Sequence, residues 1–325
     1  MYAMITTATG DLHWTEVPDP VAKPGEIIIS TQATAVNRAD LLQRAGKYPP
    51  PPGWPEWMGL EVAGTVVSAS ADSRWHVGDK VCALLGGGGY AEKVVVPESL
   101  AMRVPEGLSV QQAAALPEVF ATAYLNLCLE ANMQAGDTVL IQAGASGLGM
   151  AAIQLAKARG AKVVTSVSTE AKVEAARAIG ADVIVRRGVD DLGQALDANP
   201  VDIALDCVGG QGLGDHIEKL ARGGRWILIA TLGGDCAEIP LRPILKRGLH
   251  LVGSTLRSRS DEIKAKILRS LEAEVWPDIE AGTVKPVIYR TLPMMEADDA
   301  HAILTRNENI GKVVLTVDQP PSSTV

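Results

Sequence analysis

The chain is short of several things, and each shortage excludes something. Its 325 residues include only four cysteines, Cys82, Cys128, Cys207 and Cys236, and none lies close in sequence to another. That scatter supports neither a disulfide framework nor a zinc cluster, and it points to a reducing, cytoplasmic setting. No run of about 20 apolar residues occurs, so no membrane-spanning helix is expected. The start, MYAMITTATGDLHW, has no basic lead followed by an apolar stretch and a small-residue cleavage site. It does not read as a secretory signal. Positive charge is also in deficit: 30 Lys and Arg face 38 Asp and Glu, a formal net charge of -8. A field of that sign repels nucleic acid and anionic membranes, while leaving room for a local basic pocket.

What remains is an ordinary globular composition, 47% hydrophobic and 21% charged. At roughly 150 residues per domain, the length suggests two domains. Residues 1–118 read as β-rich. Short apolar runs such as Glu26–Thr31 and Glu61–Ser68 lie between the turn segments KPGE, PPPPGWP, VGDKV and GGGGY. Gly and Pro fix backbone shapes that strands cannot continue through, so this pattern predicts a barrel-like β fold. The pattern changes from residue 119. Thr138–Gln142 (TVLIQ) reads as a strand buried on both faces, followed by a glycine-rich turn and a helix over Met150–Arg159. Further strands are expected over Lys162–Ser166, Val183–Val185, Asp202–Leu205, Trp226–Ala230 and Leu249–Ser254, with helices over Lys172–Ile179 and Leu213–Leu220. Such alternation implies a parallel, doubly wound α/β sheet. A last strand is expected over Ile310–Val317, and the tail QPPSSTV is expected to be disordered.

The strongest motif is the turn Ala143-Gly144-Ala145-Ser146-Gly147-Leu148-Gly149, between a buried strand and an Ala-rich helix. A dinucleotide site needs glycines here so that the chain can turn tightly, approach the pyrophosphate and pack the following helix against the sheet. The helix N-terminus then presents N–H groups and a positive dipole end to phosphate. Gly144, Gly147 and Gly149 fit this fingerprint, and Ser146 replaces its middle glycine. The competing reading is a tight turn without a ligand. Sites that prefer NAD carry a carboxylate at the end of the second strand. That strand end here offers Ser166 and Ser168, followed by Lys172, and Arg186 ends the third strand. Hydroxyls and cations suit the 2′-phosphate of NADPH. Glu170 is the residue that opposes this preference, and Lys172 and Arg186 have rival readings as solvated surface residues.

With these motifs in view, the chain resembles the quinone oxidoreductase (zeta-crystallin-like) branch of the medium-chain dehydrogenases/reductases. The resemblance rests on Val36-Asn37-Arg38-Ala39-Asp40, Gly59-Leu60-Glu61-Val62-Ala63-Gly64, Gly78-Asp79-Lys80-Val81, the AGASGLG turn, Leu205-Asp206-Cys207-Val208-Gly209-Gly210 and Asn309-Ile310-Gly311-Lys312. Thr255-Leu256-Arg257-Ser258-Arg259-Ser260 is similar to the tumour-suppressor-inducible subgroup. The resemblance implies a Rossmann domain, residues 119–256, inserted in a GroES-like β-barrel catalytic domain made of residues 1–118 and 257–325. It implies an active-site cleft at their junction and a homodimer joined through the last Rossmann strand. An exposed apolar edge strand would itself call for a partner. Zinc-dependent relatives place a Cys in the first motif and a His beside the Glu of the second. Here the first motif has no Cys and Leu60 stands in place of the His. Catalytic zinc needs about three protein ligands, so no metal is expected, and Glu61 reads as retained for structure.

By the same resemblance Asn37, Asp40 and Tyr48 line the cleft, with Asn37 and Thr122 near the nicotinamide. Tyr48 lies in the stiff stretch Gly46-Lys47-Tyr48-Pro49-Pro50. Their rival readings are a turn residue for Asn37, a packed tyrosine for Tyr48 and a hydroxyl bonded to helix backbone for Thr122. Cys207 and Val208, Leu232 and Gly233, and Leu256 and Arg257 follow the ends of successive strands, where open α/β sheets bind ligands. Arg257 is a candidate phosphate contact or the partner of a surface carboxylate. Asn309 and Lys312 match a family segment near the cofactor. The expected activity is NADPH-dependent reduction of a small quinone, an acceptor electrophilic enough to need neither metal nor strong base. The alternatives are NADPH-dependent reduction of enals or enones, and a non-catalytic NADPH-binding protein with a structural or RNA-binding role. The acidic balance and the lack of RNA-stacking motifs argue against RNA.

Overall fold

A computed structural model describes residues 1–317, so the tail segment QPPSSTV lies outside the described residues. Strands β1 (Tyr2–Thr6), β2 (Leu12–Glu16) and β3 (Glu26–Val36) lead into helix α1 (Arg38–Arg44). Then come β4 (Glu61–Ser68), β5 (Lys80–Leu84), β6 (Lys93–Pro97), β7 (Ala101–Arg103), α2 (Val110–Ala113) and α3 (Pro117–Tyr124). The alternating region follows as β8 (Thr138–Ile141), α4 (Gly147–Ala158), β9 (Lys162–Val167), α5 (Glu170–Ala178), β10 (Val183–Arg186), α6 (Leu192–Ala198), β11 (Val201–Asp206), α7 (Gln211–His216), β12 (Leu220–Leu228), α8 (Leu241–Arg247) and β13 (His250–Gly253). The chain ends with α9 (Asp261–Glu274), α10 (Trp276–Glu280), β14 (Ile288–Pro293), α11 (Ala297–Thr305) and β15 (Lys312–Thr316).

The described residues divide into two compact units. The first comprises residues 1–121, Arg257–Ala281 and the chain from Pro286 onward; the second comprises Thr122–Leu256 and Gly282–Lys285. In the first unit, β14-β15-β3-β4-β5-β7 form one sheet, with β6 pairing to β3. Most of its pairings are antiparallel; β14 and β15 are parallel. β3 alternates inward and outward along its first part, turning Ile27, Ile29, Thr31 and Ala33 inward as a half-buried strand must. Met4, Val36, Tyr90, Ile303 and Leu315 belong to the core on which α11 packs.

In the second unit the sheet order is β10-β9-β8-β11-β12-β13, and every pairing is parallel. Numbered within the unit this is 3-2-1-4-5-6, the doubly wound dinucleotide-binding order. The α/β class read from the sequence is the class observed. β8 is central, flanked by β9 and β11, so Val139, Leu140 and Ile141 are buried in succession. Several boundaries differ from expectation for local reasons. α4 starts three residues early because the Ser146 hydroxyl accepts from Gly149 N at 3.0 Å and caps it. α5 likewise starts at Glu170 behind the Thr169 cap. The expected helix over Leu213–Leu220 ends at His216 and tightens into a 3-10 turn, Ile217–Lys219. β12 starts at Leu220 because Leu220 pairs with Val201, and a register shift absorbs the glycines before Arg225. At the edge, β13 leaves Leu251 44% exposed, and α8 exposes Leu241 and Leu245 at 75% and 85%.

Candidate functional site

The glycine-rich turn takes its shape from its own packing. A Cβ on Gly144 would stand 2.0 Å from Thr165 Oγ1, and one on Gly149 would stand 2.5 Å from Ala143 O. Neither position admits a side chain. Ala143 adopts φ 54°, the left-handed region that a non-glycine residue seldom occupies. The bend is pinned from β9: Gly144 N donates to Ser166 O at 3.0 Å, and Ser166 Oγ donates to Gln142 Oε1 at 2.7 Å. Gly147 and Leu148 open α4, where N–H groups have no carbonyl of their own helix to bond. These residues fit a dinucleotide pyrophosphate in both shape and polarity.

Beyond β9 the sequence candidates separate. Ser166 is 1% exposed and its hydroxyl bonds Gln142, so it anchors the turn. Ser168 is exposed just past the strand end, with Lys172 one helical turn later and largely buried. Arg186 pairs in register with Val167. Its guanidinium meets Glu170 at 2.7 Å, so the carboxylate that opposed NADPH is itself neutralised. Lys172 is a second cation here, and Asp190 Oδ2 accepts from Arg186 N at 2.7 Å.

The loops after β11 and β12 are knitted together. Asp206, fully buried, accepts from Val208 N at 2.7 Å, Gly209 N at 3.0 Å and Trp226 Nε1 at 2.9 Å. Leu232 N donates to Cys207 O at 3.3 Å and Gly233 N to Val208 O at 2.7 Å. Cys207, Val208, Leu232 and Gly233 are therefore brought together at the strand ends, where this fold class binds ligands. Thr122 has its carbonyl bonded to Asn126 Nδ2 at 2.7 Å. Leu256 is buried as a packing residue.

The first unit holds a dense polar cluster. Lys312, 4% exposed, donates to Asn37 Oδ1 at 2.6 Å, Glu61 Oε1 at 2.7 Å and Val36 O at 3.0 Å. Its three protons have three acceptors within the chain, so Lys312 braces this cluster. Asn37 Nδ2 donates to Glu61 Oε1 at 2.9 Å and Ala35 O at 3.1 Å, so this side chain too is spent on scaffolding. Asp40, fully buried, accepts from Asn37 N at 2.7 Å, Gly59 N at 3.1 Å and the Tyr90 hydroxyl at 3.3 Å. Burial raises its carboxyl to about 6 against the pull of the two backbone donors. Asp40 therefore ties α1 to neighbouring loops. Asn309 Nδ2 bonds Gly311 O at 2.7 Å and shapes the turn into β15.

Arg257 also lies in the first unit, and its guanidinium bonds oxygens of the chain. Nε and Nη2 donate to Gly86 O at 2.9 and 2.7 Å, Nη2 to Gln43 Oε1 at 2.7 Å, and Nη1 to Tyr48 O at 3.1 Å. Its Cζ stands 4.7 Å from the Tyr48 ring centroid. The guanidinium thus clamps the Tyr48 loop through both ring and backbone, and Tyr48 is held half-buried with its phenol raised by burial. The Gly86–Gly89 loop is a packing element: a Cβ on Gly86 would strike the Trp54 ring at 2.6 Å, and Trp57 Nε1 bonds Gly88 O at 3.0 Å.

Glu118 escapes a reading of the sequence. It is the single charged residue in the run Ala113–Tyr124, and that isolation is the available signal. Its backbone N donates to Glu61 Oε2 at 2.9 Å. Burial first, then the nearby Glu61 carboxylate, raise its carboxyl to about 8.

The donor set does not fit a metal ion. Leu60 is buried and apolar where a ligand would stand, and the oxygens of Asn37, Glu61 and Val36 already surround the Lys312 ammonium. Among the described residues no group of three or more His, Cys, Asp or Glu is placed to hold a metal. Nor, among them, is any helix long and apolar enough to cross a membrane.

Comparison with known proteins gives a consistent picture. A family model described as alcohol dehydrogenase GroES-like domain matches residues 23–106, and one described as zinc-binding dehydrogenase matches residues 147–273. The chain is 32% identical over 313 residues to polyketide synthase GfsB of Streptomyces halstedii, spanning 96% of this chain but only 5% of that protein. It is 30% identical over 302 residues to a quinone oxidoreductase-like protein 2 homolog of Nematostella vectensis, covering 90% of this chain and 82% of that one. The solved quinone oxidoreductase of Thermus thermophilus, known also as its complex with NADPH, matches with a TM-score of 0.83 and 30% identity, over 97% of this chain and all of that one. Motif order, strand order and these likenesses agree: the chain belongs to the quinone oxidoreductase branch of the medium-chain dehydrogenases/reductases.

Proposed function

We propose that the protein is an NADPH:quinone oxidoreductase that works without metal, as a cytoplasmic homodimer. The observation that carries this reading is the side-chain-free turn between β8 and α4, backed by Lys172 and Arg186 beyond the ends of β9 and β10. The bound nucleotide supplies a hydride; the chain supplies everything that orients and polarises it. Gly147, Leu148 and Gly149 would meet the pyrophosphate. Ser168, Lys172 and Arg186 would meet the 2′-phosphate, with Glu170 silenced by its ion pair. Cys207, Val208, Leu232 and Gly233 would border the nucleotide at the strand ends. In the first unit, Tyr48 on its Arg257 clamp is the residue suited to contact a flat acceptor. Lys312 supplies from within the chain the positive charge that a metal would bring, which supports a metal-free mechanism.

Side-by-side rates of NADPH and NADH oxidation with an ortho-quinone, a small enone and an aldehyde test this reading. Faster quinone turnover with NADPH is expected. Equal catalytic efficiency with both nucleotides would refute the nucleotide assignment, and enone turnover above quinone turnover would make this an alkene reductase. NADPH binding without turnover of any acceptor would favour a non-catalytic role. Stoichiometric zinc by elemental analysis would overturn the metal-free proposal. The exposed Leu251 edge of β13 and the apolar face of α8 support dimerisation, and a monomer by light scattering would remove it.

A further inference from the structure

We propose that the first unit carries a binding site of its own, a cavity beside His301 that takes a small neutral phenol through its hydroxyl. The cavity measures about 350 Å³ and is lined by Gly10, Leu41, Arg44, Ala45, His301 and Thr305. All six belong to the first unit, and none lies in the glycine-rich turn before α4. Occupancy of this cavity therefore does not depend on the nucleotide reading.

His301 lines the cavity, is 3% exposed, and has no hydrogen-bond partner at Nδ1, although buried polar atoms are nearly always paired. Its Nε2 stands 3.2 Å from the Tyr90 hydroxyl, which lies 3.3 Å from Asp40 Oδ2. This chain fixes what Nδ1 can do. An ionised carboxylate only accepts, so Asp40 takes the single Tyr90 proton. The Tyr90 oxygen must then accept from His301. That places the imidazole proton on Nε2 and leaves a bare lone pair on Nδ1. The protonation states agree. Asp40 is held at about 6, and burial, then the nearby Arg44 charge, lower His301 to about 4. Above about pH 7 the carboxylate is charged and the ring neutral.

The rest of the wall sets the class of occupant. Arg44 brings a positive charge, but its Nη2 meets Asp298 Oδ1 at 2.6 Å and its Nε donates to Gly10 O at 2.7 Å. A neutral imidazole beside a closed ion pair favours an uncharged ligand. The Thr305 hydroxyl donates to His301 O at 3.0 Å, which leaves its oxygen as a second acceptor. Leu41 and Ala45 supply apolar wall. Acceptors without a donor, beside apolar side chains, suit a hydroxyl carried on a small apolar ring. The phenol O–H donates to Nδ1 and its ring packs on Leu41 and Ala45. Binding thereby satisfies a nitrogen that the folded chain leaves unpaired.

The test titrates the nucleotide-free protein with phenol and with anisole, the same ring with its hydroxyl proton replaced by methyl. At about pH 8 Asp40 is ionised. Calorimetry should show phenol binding about tenfold or more tighter than anisole, the size of one hydrogen bond. Long-range proton–nitrogen spectra of the imidazoles locate the proton directly. His301 should carry it on Nε2, and phenol should shift Nδ1. His301→Gln keeps a donor toward Tyr90 and lacks Nδ1, so it should bind phenol no better than anisole. Ala45→Leu fills the cavity from an exposed position at the end of α1 and leaves the Tyr90–His301 chain intact. It should lose phenol binding with an unchanged urea midpoint. If His301→Gln fails to fold, Ala45→Leu and the spectra decide alone. Equal binding of phenol and anisole by wild type, a proton on Nδ1, or phenol binding that survives in Ala45→Leu would overturn the proposal.

Discussion

Arg257 is where two readings of one residue give opposite experimental outcomes. As a phosphate ligand it would govern nucleotide affinity. As a clamp it governs the Tyr48 loop. Arg257→Lys keeps the charge and separates the two. The guanidinium makes four hydrogen bonds while lying over the Tyr48 ring at 4.7 Å. A lysine ammonium is a point donor, and it cannot reach Gly86 O, Gln43 Oε1 and Tyr48 O from one position while stacking flat. Each charge-assisted bond to a neutral acceptor contributes about 1.5–3 kcal/mol, and the stacking about 0.5–2 kcal/mol. Two bonds lost, with partial replacement by the ammonium and by water, leave a net cost of about 2 kcal/mol.

At about 1.4 kcal/mol per tenfold, that cost lowers the ordered population of the Tyr48 loop by about 30-fold relative to its open form. Arg257→Lys should therefore lower kcat/KM for a quinone by about 10- to 30-fold. NADPH affinity, read by fluorescence titration, should change by less than about twofold. The urea midpoint should fall as well. The reasoning is refuted if nucleotide affinity drops tenfold or more while quinone kinetics and the urea midpoint stay put.

Three further outcomes follow from the same geometry. Lys312→Met leaves Glu61 buried without its ammonium and should cost about 3–5 kcal/mol in denaturant unfolding. The double variant Glu61→Gln/Lys312→Met removes both charges and should recover at least half of the loss; no recovery would mean that the pair is not the source of the cost. Gly149→Ala places a Cβ 2.5 Å from Ala143 O and 2.6 Å from Gly144 Cα, both backbone atoms that cannot swing aside. NADPH affinity by calorimetry should fall by at least about tenfold with far-ultraviolet dichroism preserved, and unchanged affinity would contradict the cradle. Glu118 also links stability to pH. Its folded-state carboxyl is raised from the ordinary 4.5 to about 8, so the native state holds a proton that the unfolded chain releases. The stabilising contribution is complete below about pH 4.5 and is lost as pH rises through about 8, so the wild-type urea midpoint should fall relative to that of Glu118→Gln across this window. A constant difference between the two would show that Glu118 does not titrate there.

The second unit is legible because its signals are local. An unbroken apolar run such as Thr138–Ile141 serves only a strand covered on both faces, and alternation with helices then leaves few topologies. The boundaries that slip also slip locally: Ser146 and Thr169 are caps, and a cap adds a turn of helix before the apolar pattern begins. β12 reads too short because its early residues look like a glycine turn until Val201 is beside Leu220, which no window of sequence reveals. The turn glycines are legible because backbone geometry, and not a distant partner, demands them.

The partners of the polar residues in the first unit are less legible, and the reason is physical. A lone cation in a sequence advertises charge and not the partner that will satisfy it. Lys312 finds its acceptor 275 residues away at Asn37, and Arg257 reaches 214 residues back to Gln43. Both invite assignment to phosphate because phosphate is the partner that a cofactor motif brings to mind, whereas in the fold both bond oxygens of the chain. Ser166 goes the same way, its hydroxyl closing on Gln142. A buried cation held like Lys312 is recruited by a ligand only at the expense of the scaffold, so the proposed preference for NADPH rests on the cations beyond the ends of β9 and β10. Substituting Lys172 should therefore weaken NADPH binding and leave NADH binding alone, while substituting Lys312 should unfold the first unit before it changes any preference.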